Sequence, residues 1–406
     1  MRCTLDLWRI TFADLIVRTS YQVGKTPLMP LFAASLGASE FMVGAIVSVS
    51  IMTGLVLKPM FGWLSDRWGR RFWLLMGVAL FSGTPFLYQL IETPEQLFLL
   101  RLIHGLATAI FGPVTLALVA EMAVSRRAER LGWFGMARIV GYLVAPILGA
   151  WLLTWLEPEA VFTIIGVVSC LAFLPICMMD WANLSFPRSS KGQQKILDHG
   201  LQACSVVIPN AGLWLAALLE TLVYFFTYSI KVFLPLYALY IADFNLLTIG
   251  IFFTVQELTH LMVRPLGGKF GDRFGYLQSI NFGYLGLVVG FLILPHLGTE
   301  MGLLVVAILI GASQGIILPS TVAFVSGHLH ANYLGTGMGI LGAVRNSGKI
   351  AGPFITGLLL TRLDYSEVFH LGGITALIVT VSFFVLQRNW LRVMFTGRKL
   401  TRQSQI

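Results

Sequence analysis

Twelve stretches of mostly apolar residues follow one another along this chain, separated by short polar connections, and they restrict the fold more than any other feature. They run roughly over 8–35, 41–61, 72–91, 97–121, 132–155, 159–179, 211–240, 246–266, 276–296, 301–326, 333–360 and 366–387. About 20 such residues in a helix cross the hydrocarbon core of a bilayer. No water is present there to satisfy open backbone groups, so spans of this kind are helices. A β-barrel would show short alternating strands instead of continuous runs. Charged residues make up only 12% of the 406, against about 25% in soluble domains. So few charges cannot cover a water-facing surface. The expected fold is an all-α membrane protein with twelve transmembrane helices.

The net charge of +9 would suggest nucleic acid in a soluble chain. Here the bases lie between apolar runs, where they report topology. With the N-terminus inside, the inner segments hold Arg2, Arg9, Arg67, Arg70, Arg71, Arg126, Arg127, Arg130, Arg188, Lys191, Lys195, Lys269, Arg273, Arg388, Arg392, Arg398, Lys399 and Arg402, and the outer segments hold Arg362 alone. The expected location is therefore the plasma (inner) membrane, multi-pass, with both termini cytoplasmic and no nucleic-acid partner. Met1 to Arg9 lack the pattern of a cleaved signal peptide. The four cysteines (Cys3, Cys170, Cys177, Cys204) show no paired spacing for a disulfide or zinc site. No cofactor is expected.

An offset of 206 residues relates the two halves. KPMFGWLSDRWGRR (58–71) aligns with RPLGGKFGDRFGYL (264–277), placing Asp66, Arg67 and Gly69 on Asp272, Arg273 and Gly275. Lys25 falls on Lys231, Pro113 on Pro319, and Asp14 on Glu220. The longest polar connection, 181–210, lies midway. The expected organisation is a six-helix bundle over 1–180, a cytoplasmic linker over 181–210, and a second bundle over 211–406 with a short tail. An even number of helices per half makes the halves parallel repeats about the membrane normal.

The stretch from Gly62 to Arg71, with Asp66, Arg67, Gly69 and Arg70, resembles the signature loop of the major facilitator superfamily, and 268–275 is its degenerate copy. Arg101-x-x-x-Gly105 resembles a family motif in helix 4. Gly141-x-x-x-Ala145-Pro146-x-x-Gly149 resembles the helix-5 motif of its twelve-helix drug/proton antiporters, with Ala145 replacing a glycine. Gly348-x-x-x-Gly352-Pro353 repeats it in helix 11. The resemblance implies that Asp66 and its neighbours, with Asp272 and Arg273, latch one half to helix 11 when the cytoplasmic side is closed. A local pairing of Asp66 with Arg67 or Arg70 is the alternative. Gly62 and Gly69 are expected at tight turns or close helix approaches. Small residues at 141, 145 and 149 share one face that another helix can approach, and Pro146 adds a kink.

Charge inside a bilayer costs at least about 2.5–3.5 kcal/mol per residue, so it should face a partner or a cavity. Asp14, Arg18, Tyr21 and Lys25 recur at spacings that share one helical face, as do Glu220, Tyr224, Thr227 and Lys231. Gln256, Glu257, His260, Arg101, His104, Arg345 and Lys349 add to the interior. Lys58, Arg138 and Arg264 lie toward helix ends, where snorkelling is expected. The deep bases outnumber Asp14, Glu220 and Glu257. The expected substrate site therefore takes a small anionic or amphiphilic molecule on Arg18, Tyr21, Lys25, Tyr224, Lys231, Gln256, Arg345 and Lys349. Internal ion pairs such as Asp14 with Arg18, or Glu257 with Lys231, absorb part of this charge. A carboxyl in an apolar site can exchange a proton near neutrality. Proton coupling is accordingly expected at Glu220 and Glu257, then Asp14, with His260 and Arg101. Glu257-x-x-His260 has no second pair to complete a metal site.

These features together indicate a secondary transporter working by alternating access, with protons and membrane lipid as its other partners; the resemblance implies a monomer. The helix-5 motif points to proton-coupled efflux. Uptake by symport, and lipid flipping on the same fold, remain open. The chain carries no G-x-x-x-x-G-K-[ST] phosphate loop and no nucleophile–base set, so it is not expected to be an enzyme.

Overall fold

The computed structural model describes residues 2–122, 127–181, 205–330 and 333–403, without the side chains of 2–4, 127–128 and 388–403. Most of the expected linker and the basic residues at 2, 126, 127, 188, 191, 195 and 388–402 lie outside this description. Among the described residues the structure is helical, with no strand. Its helices are α1 (Arg2–Val23), α2 (Leu28–Ser35), α3 (Glu40–Trp68), α4 (Arg70–Leu87), α5 (Pro94–Met122), α6 (Arg127–Leu153), α7 (Pro158–Cys170) and α8 (Phe173–Cys177). They continue as α9 (Ala211–Tyr240), α10 (Leu246–Phe274), α11 (Tyr276–Ile293), α12 (Glu300–His328), α13 (Leu334–Leu360) and α14 (Tyr365–Gln403).

Among the described residues, ten helical segments are long and apolar enough to cross a membrane. The expected spans over 8–35 and 333–360 are not among them. The first carries Asp14 and Arg18 and is broken: a turn over 24–27 separates α1 from α2. Pro27 removes a backbone donor and disfavours helix at the preceding residue, and Gly24 adds freedom beside it. The repeat counterparts of Pro27 and Pro30 are Phe233 and Leu236, and α9 runs on unbroken through Lys231. The second, α13, is diluted by seven glycines and carries Arg345 and Lys349.

The internal repeat is visible in the helix ends. α3, α4 and α5 start and stop 206 residues before α10, α11 and α12, and α6 ends 207 before α13. Ser39 caps α3 by accepting from the Met42 amide, and Asn245 caps α10 by accepting from the Thr248 amide; such caps satisfy one of the open N–H groups of a first turn. Gly69 (φ 94°) and Gly275 (φ 97°) each make a one-residue joint between two long helices, a conformation open to glycine at little cost. Gly62, expected at a turn or a close approach, is instead in mid-helix, and a Cβ there would meet nothing.

Between helices in lipid there is little hydrophobic gain, so close packing of small residues and hydrogen bonds carry association. Gly141 and Gly149 of α6 are approached by Thr19 and Val23 of α1. Gly348 and Gly352 of α13 are approached by the backbone of α9 at Thr221 and Phe225. Two further seams join the first and second halves of the chain. In one, Gly44 of α3 lies on the Pro353 carbonyl and Gly357 of α13 on Glu40, while Ser48 Oγ donates to the Ile350 carbonyl at 2.7 Å. In the other, Gly250 of α10 lies on Pro146 and Ala150 of α6, and Thr254 Oγ1 donates to the Leu143 carbonyl at 3.2 Å. Beyond Ser48 and Thr254 the paired helices part around internal cavities lined by Ser50, Lys58, His260 and Arg264. The two halves are therefore sealed near Glu40, and the cavities lie on the Asp66 and Asp272 side of these seams.

Gly348→Val should force α13 away from the Thr221 carbonyl. The cost expected for such overpacking is about 1–3 kcal/mol, read as a clear drop in melting temperature in detergent. Gly135→Ala, where a Cβ meets no atom, should leave that temperature unchanged.

Candidate functional site

The interior charges are arranged twice by the same rule. Asp14, 1% exposed, receives Arg138 Nε at 2.8 Å and Nη2 at 2.9 Å, and Arg138 also donates to Thr115 Oγ1 at 3.3 Å. Arg18 adds a bond to Asp14 at 2.9 Å. In the second half Glu220, fully buried, accepts from Thr321 Oγ1 at 2.5 Å and faces Arg345 Nη1 at 3.5 Å. Thr115 and Thr321 are 206 apart, and Arg138 and Arg345 are 207 apart. Each half thus holds an acid–arginine–threonine joint, tying α1 to α6 in one and α9 to α13 in the other. Arg138, expected to snorkel at a helix end, is instead turned inward, where its planar guanidinium bonds both oxygens of the buried carboxylate.

Lys231 Nζ meets Glu257 Oε1 at 2.6 Å, and His260 Nδ1 stands 3.6 Å from the other oxygen. These three residues border a cavity of about 230 Å³ with Tyr224, Tyr228 and Lys349. A second cavity of about 160 Å³ takes in Arg18, Tyr21, Lys25, Lys58 and Lys349. Tyr228, which the sequence pattern did not single out, stands between them. The ammonium groups of Lys25, Lys231 and Lys349 lie 5.4, 5.4 and 5.7 Å from its ring centroid, within the reach of cation–π attraction. Lys349 also sits 4.5 Å from the ring centroid of Tyr224, and Arg345 lies 5.9 Å from it. Lys58 and Arg264 line the cavities rather than snorkelling outward.

Other expected residues lie elsewhere. Gln256 is buried and donates to Gln314 Oε1 at 3.0 Å, away from the cavity lining. Arg101 is 1% exposed and donates to Tyr88 Oη at 3.4 Å, which in turn meets His104 Nδ1 at 3.0 Å. Among the described residues no carboxylate pairs with Arg101. Asp66 is exposed and held by Arg70 at 2.9 Å, while Arg70 also bonds Glu121. Arg67 stacks on Trp63, Asp272 accepts from Tyr276, and Arg273 stacks on Phe274. Neither acid touches α13 in this conformation, so the local pairing is the one present. Among the described residues no cluster of metal ligands forms.

The described residues thus combine closed seams near Glu40 with polar cavities beyond them, between the two halves of the chain. The family model described as Major Facilitator Superfamily matches residues 24–348 and 213–394. The chain belongs to that superfamily, whose members are transporters rather than enzymes. Among curated proteins it is 26% identical over 389 residues to Multidrug resistance protein MdtG of Proteus mirabilis, covering 92% of each chain. It is 23% identical over 344 residues to Quinolone resistance protein NorA of Staphylococcus aureus, covering 82% of this chain and 84% of that one. Among solved structures, the nucleoside transporter NupG superposes with a TM-score of 0.79 at 14% identity, covering 94% of this chain and 98% of that one.

Arg138→Gln should cost about 1.5–3 kcal/mol, the range for a lost hydrogen bond to a charged group, since Arg18 still neutralises Asp14. Adding Asp14→Asn should recover part of the loss. Melting curves of the two single variants and the double variant in detergent measure the coupling; strict additivity would remove the joint.

Proposed function

We propose that this chain is a secondary active transporter with twelve spans in two six-helix bundles (1–180 and 211–406, joined by 181–210), lying in the plasma (inner) membrane with both termini cytoplasmic. It works as a monomer by alternating access, moving a small organic anion or amphiphile in exchange for protons, in the direction of efflux. The observation that carries this reading is the cavity where Lys25, Lys231 and Lys349 gather around Tyr228. Such a site offers positive charge and aromatic surface together, and so suits an anionic or amphiphilic solute. The names of the MdtG and NorA relatives favour efflux.

Protons act through Glu220 and Glu257. Glu257 holds Lys231 at 2.6 Å, and protonation would release the lysine for substrate. This supports the second reading, uptake by symport, since proton and anion would then bind together. Asp14, bound by two arginines, serves as a structural joint. In the state closed toward the cytoplasm, Asp66 exchanges Arg70 for the N-terminal end of α13, whose amide groups favour an anion. Lipid flipping on the same scaffold would require a lipid substrate.

In proteoliposomes, imposed proton gradients of either sign should drive substrate in opposite directions. Movement against the proton gradient supports exchange, and movement with it supports symport. Lys25→Gln with Lys231→Gln should weaken substrate binding at least tenfold; unchanged affinity in that variant would sink the anion site. Asp66→Asn should fold normally and transport more slowly.

A further inference from the structure

Three interior carboxylates account for four interior cations. Asp14 takes Arg18 and Arg138, Glu220 takes Arg345, and Glu257 takes Lys231. Lys25, Lys58 and Lys349 form no ion pair among the described residues, and all three line the cavity of about 160 Å³. The only other cation there is Arg18, already held by Asp14. Among the described residues no Asp or Glu lines this cavity. The internal repeat gives the reason for the unpaired Lys25. Its counterpart Lys231 is neutralised by Glu257, and the position equivalent to Glu257 is Ile51, which lines the same cavity as Lys25.

The three lysines reach the cavity from different directions. Lys25 comes from the turn between α1 and α2, Lys58 from α3, and Lys349 from α13. Lys25 and Lys349 lie 5.4 and 5.7 Å from one ring centroid, which keeps their nitrogens within 11.1 Å of each other. Ser50, Thr108 and Asn346 add uncharged hydrogen-bonding groups. The adjoining larger cavity shares Tyr142, Tyr228 and Lys349; one part of its wall is the paired group Lys231, Glu257 and His260 with Arg264, and another is Ile139, Leu143, Leu261 and Tyr224. The whole site thus joins a compartment of cations, with no acid among the described residues of its lining, to one that adds an apolar and aromatic wall.

Resting on the anion-transport reading above, we propose that the substrate is a phosphate monoester of an apolar body. Lys25, Lys58 and Lys349 seat its phosphate, and the compartment of Tyr142, Tyr224, Leu143 and Leu261 seats the body. Lysine is a compact charge with three donors and no fixed plane. Three of them from separate elements suit the three terminal oxygens of a tetrahedral phosphate better than a planar carboxylate. A phosphate monoester also brings about −1.5 to −2 charges at pH 7, and so offsets more of the clustered positive charge than a monoanion could. Tyr142, Tyr224 and Tyr228 present ring faces to the body.

The test is equilibrium binding by purified full-length protein in detergent at pH 7.5. The probes are phenyl phosphate, phenyl sulfate, benzoate, inorganic phosphate, lysophosphatidate and a lipophilic quaternary ammonium. Phenyl phosphate should bind at least tenfold more tightly than phenyl sulfate, benzoate and inorganic phosphate. Lys58→Gln and Lys349→Gln should each erase the preference over phenyl sulfate, and Lys58→Arg should keep it. Lysophosphatidate binding more tightly than phenyl phosphate would support the same chemistry and identify a lipid as its source. Phenyl sulfate or benzoate binding as well as phenyl phosphate would overturn this proposal while leaving the anion-transport reading standing. Equal binding of inorganic phosphate would overturn the role given to the apolar compartment. Binding of the quaternary ammonium alone would overturn both readings.

Discussion

The acid–arginine–threonine joint, made once in each half, is the interaction on which the rest of this interior depends. A carboxylate placed among apolar helices must be matched or it cannot stay charged, and Asp14 and Glu220 are matched by arginines on α6 and α13. Each joint fixes one helix of the cavity wall against another. Glycines on the same faces of α6 and α13 let the backbones come close enough for the pairing. Once these acids and Glu257 are neutralised, Lys25, Lys58 and Lys349 are left facing the cavity, while Arg101 is buried against Tyr88. The character of the binding site is thus a remainder, set by what the scaffold has already used.

Much of this was readable from the order of residues. The apolar runs gave the helices, and the span over 211–240 has the limits of α9. The glycine before Arg70 and its copy at 275 marked real joints. The site was legible in part. Lys25, Lys231, Lys349 and Tyr224 do border the cavities, and the pairing of Glu257 with Lys231 was one of the alternatives their spacing allowed. Arg138 was missed because a strict offset of 206 sends it to Val344, and its true counterpart is Arg345. The signal was present, since the Gly-Pro motif at 141–146 repeats 207 residues later at 348–353. Tyr228 was missed because its repeat counterpart, Gln22, is not aromatic, so no symmetry drew attention to it. The placement of Gln256 depends on how α10 rotates against α12, which hydropathy does not report.

The halves share a plan but differ in what they build from it. Lys231 sits on a continuous helix and is tied to Glu257, whereas Lys25 sits in the turn after α1 and forms no ion pair among the described residues. One half therefore offers a cation that is held, and the other a cation on backbone outside any helix. In the proposed transport cycle the held cation serves coupling and the unheld one serves binding.

The change of offset from 206 to 207 has a consequence for where such a chain can change length. It falls between Met122, where α5 ends, and Arg127, where α6 begins, and between His328 and Leu334 in the other half. A residue added inside a helix would turn everything after it by about 100°. Cavity-lining lysines would then face acyl chains, and the matched arginines would lose their acids. Equal lengths of α3 to α5 and their copies keep each inward-facing side chain on the same face in both halves, and the one-residue difference is confined to the stretches between α5 and α6 and between α12 and α13.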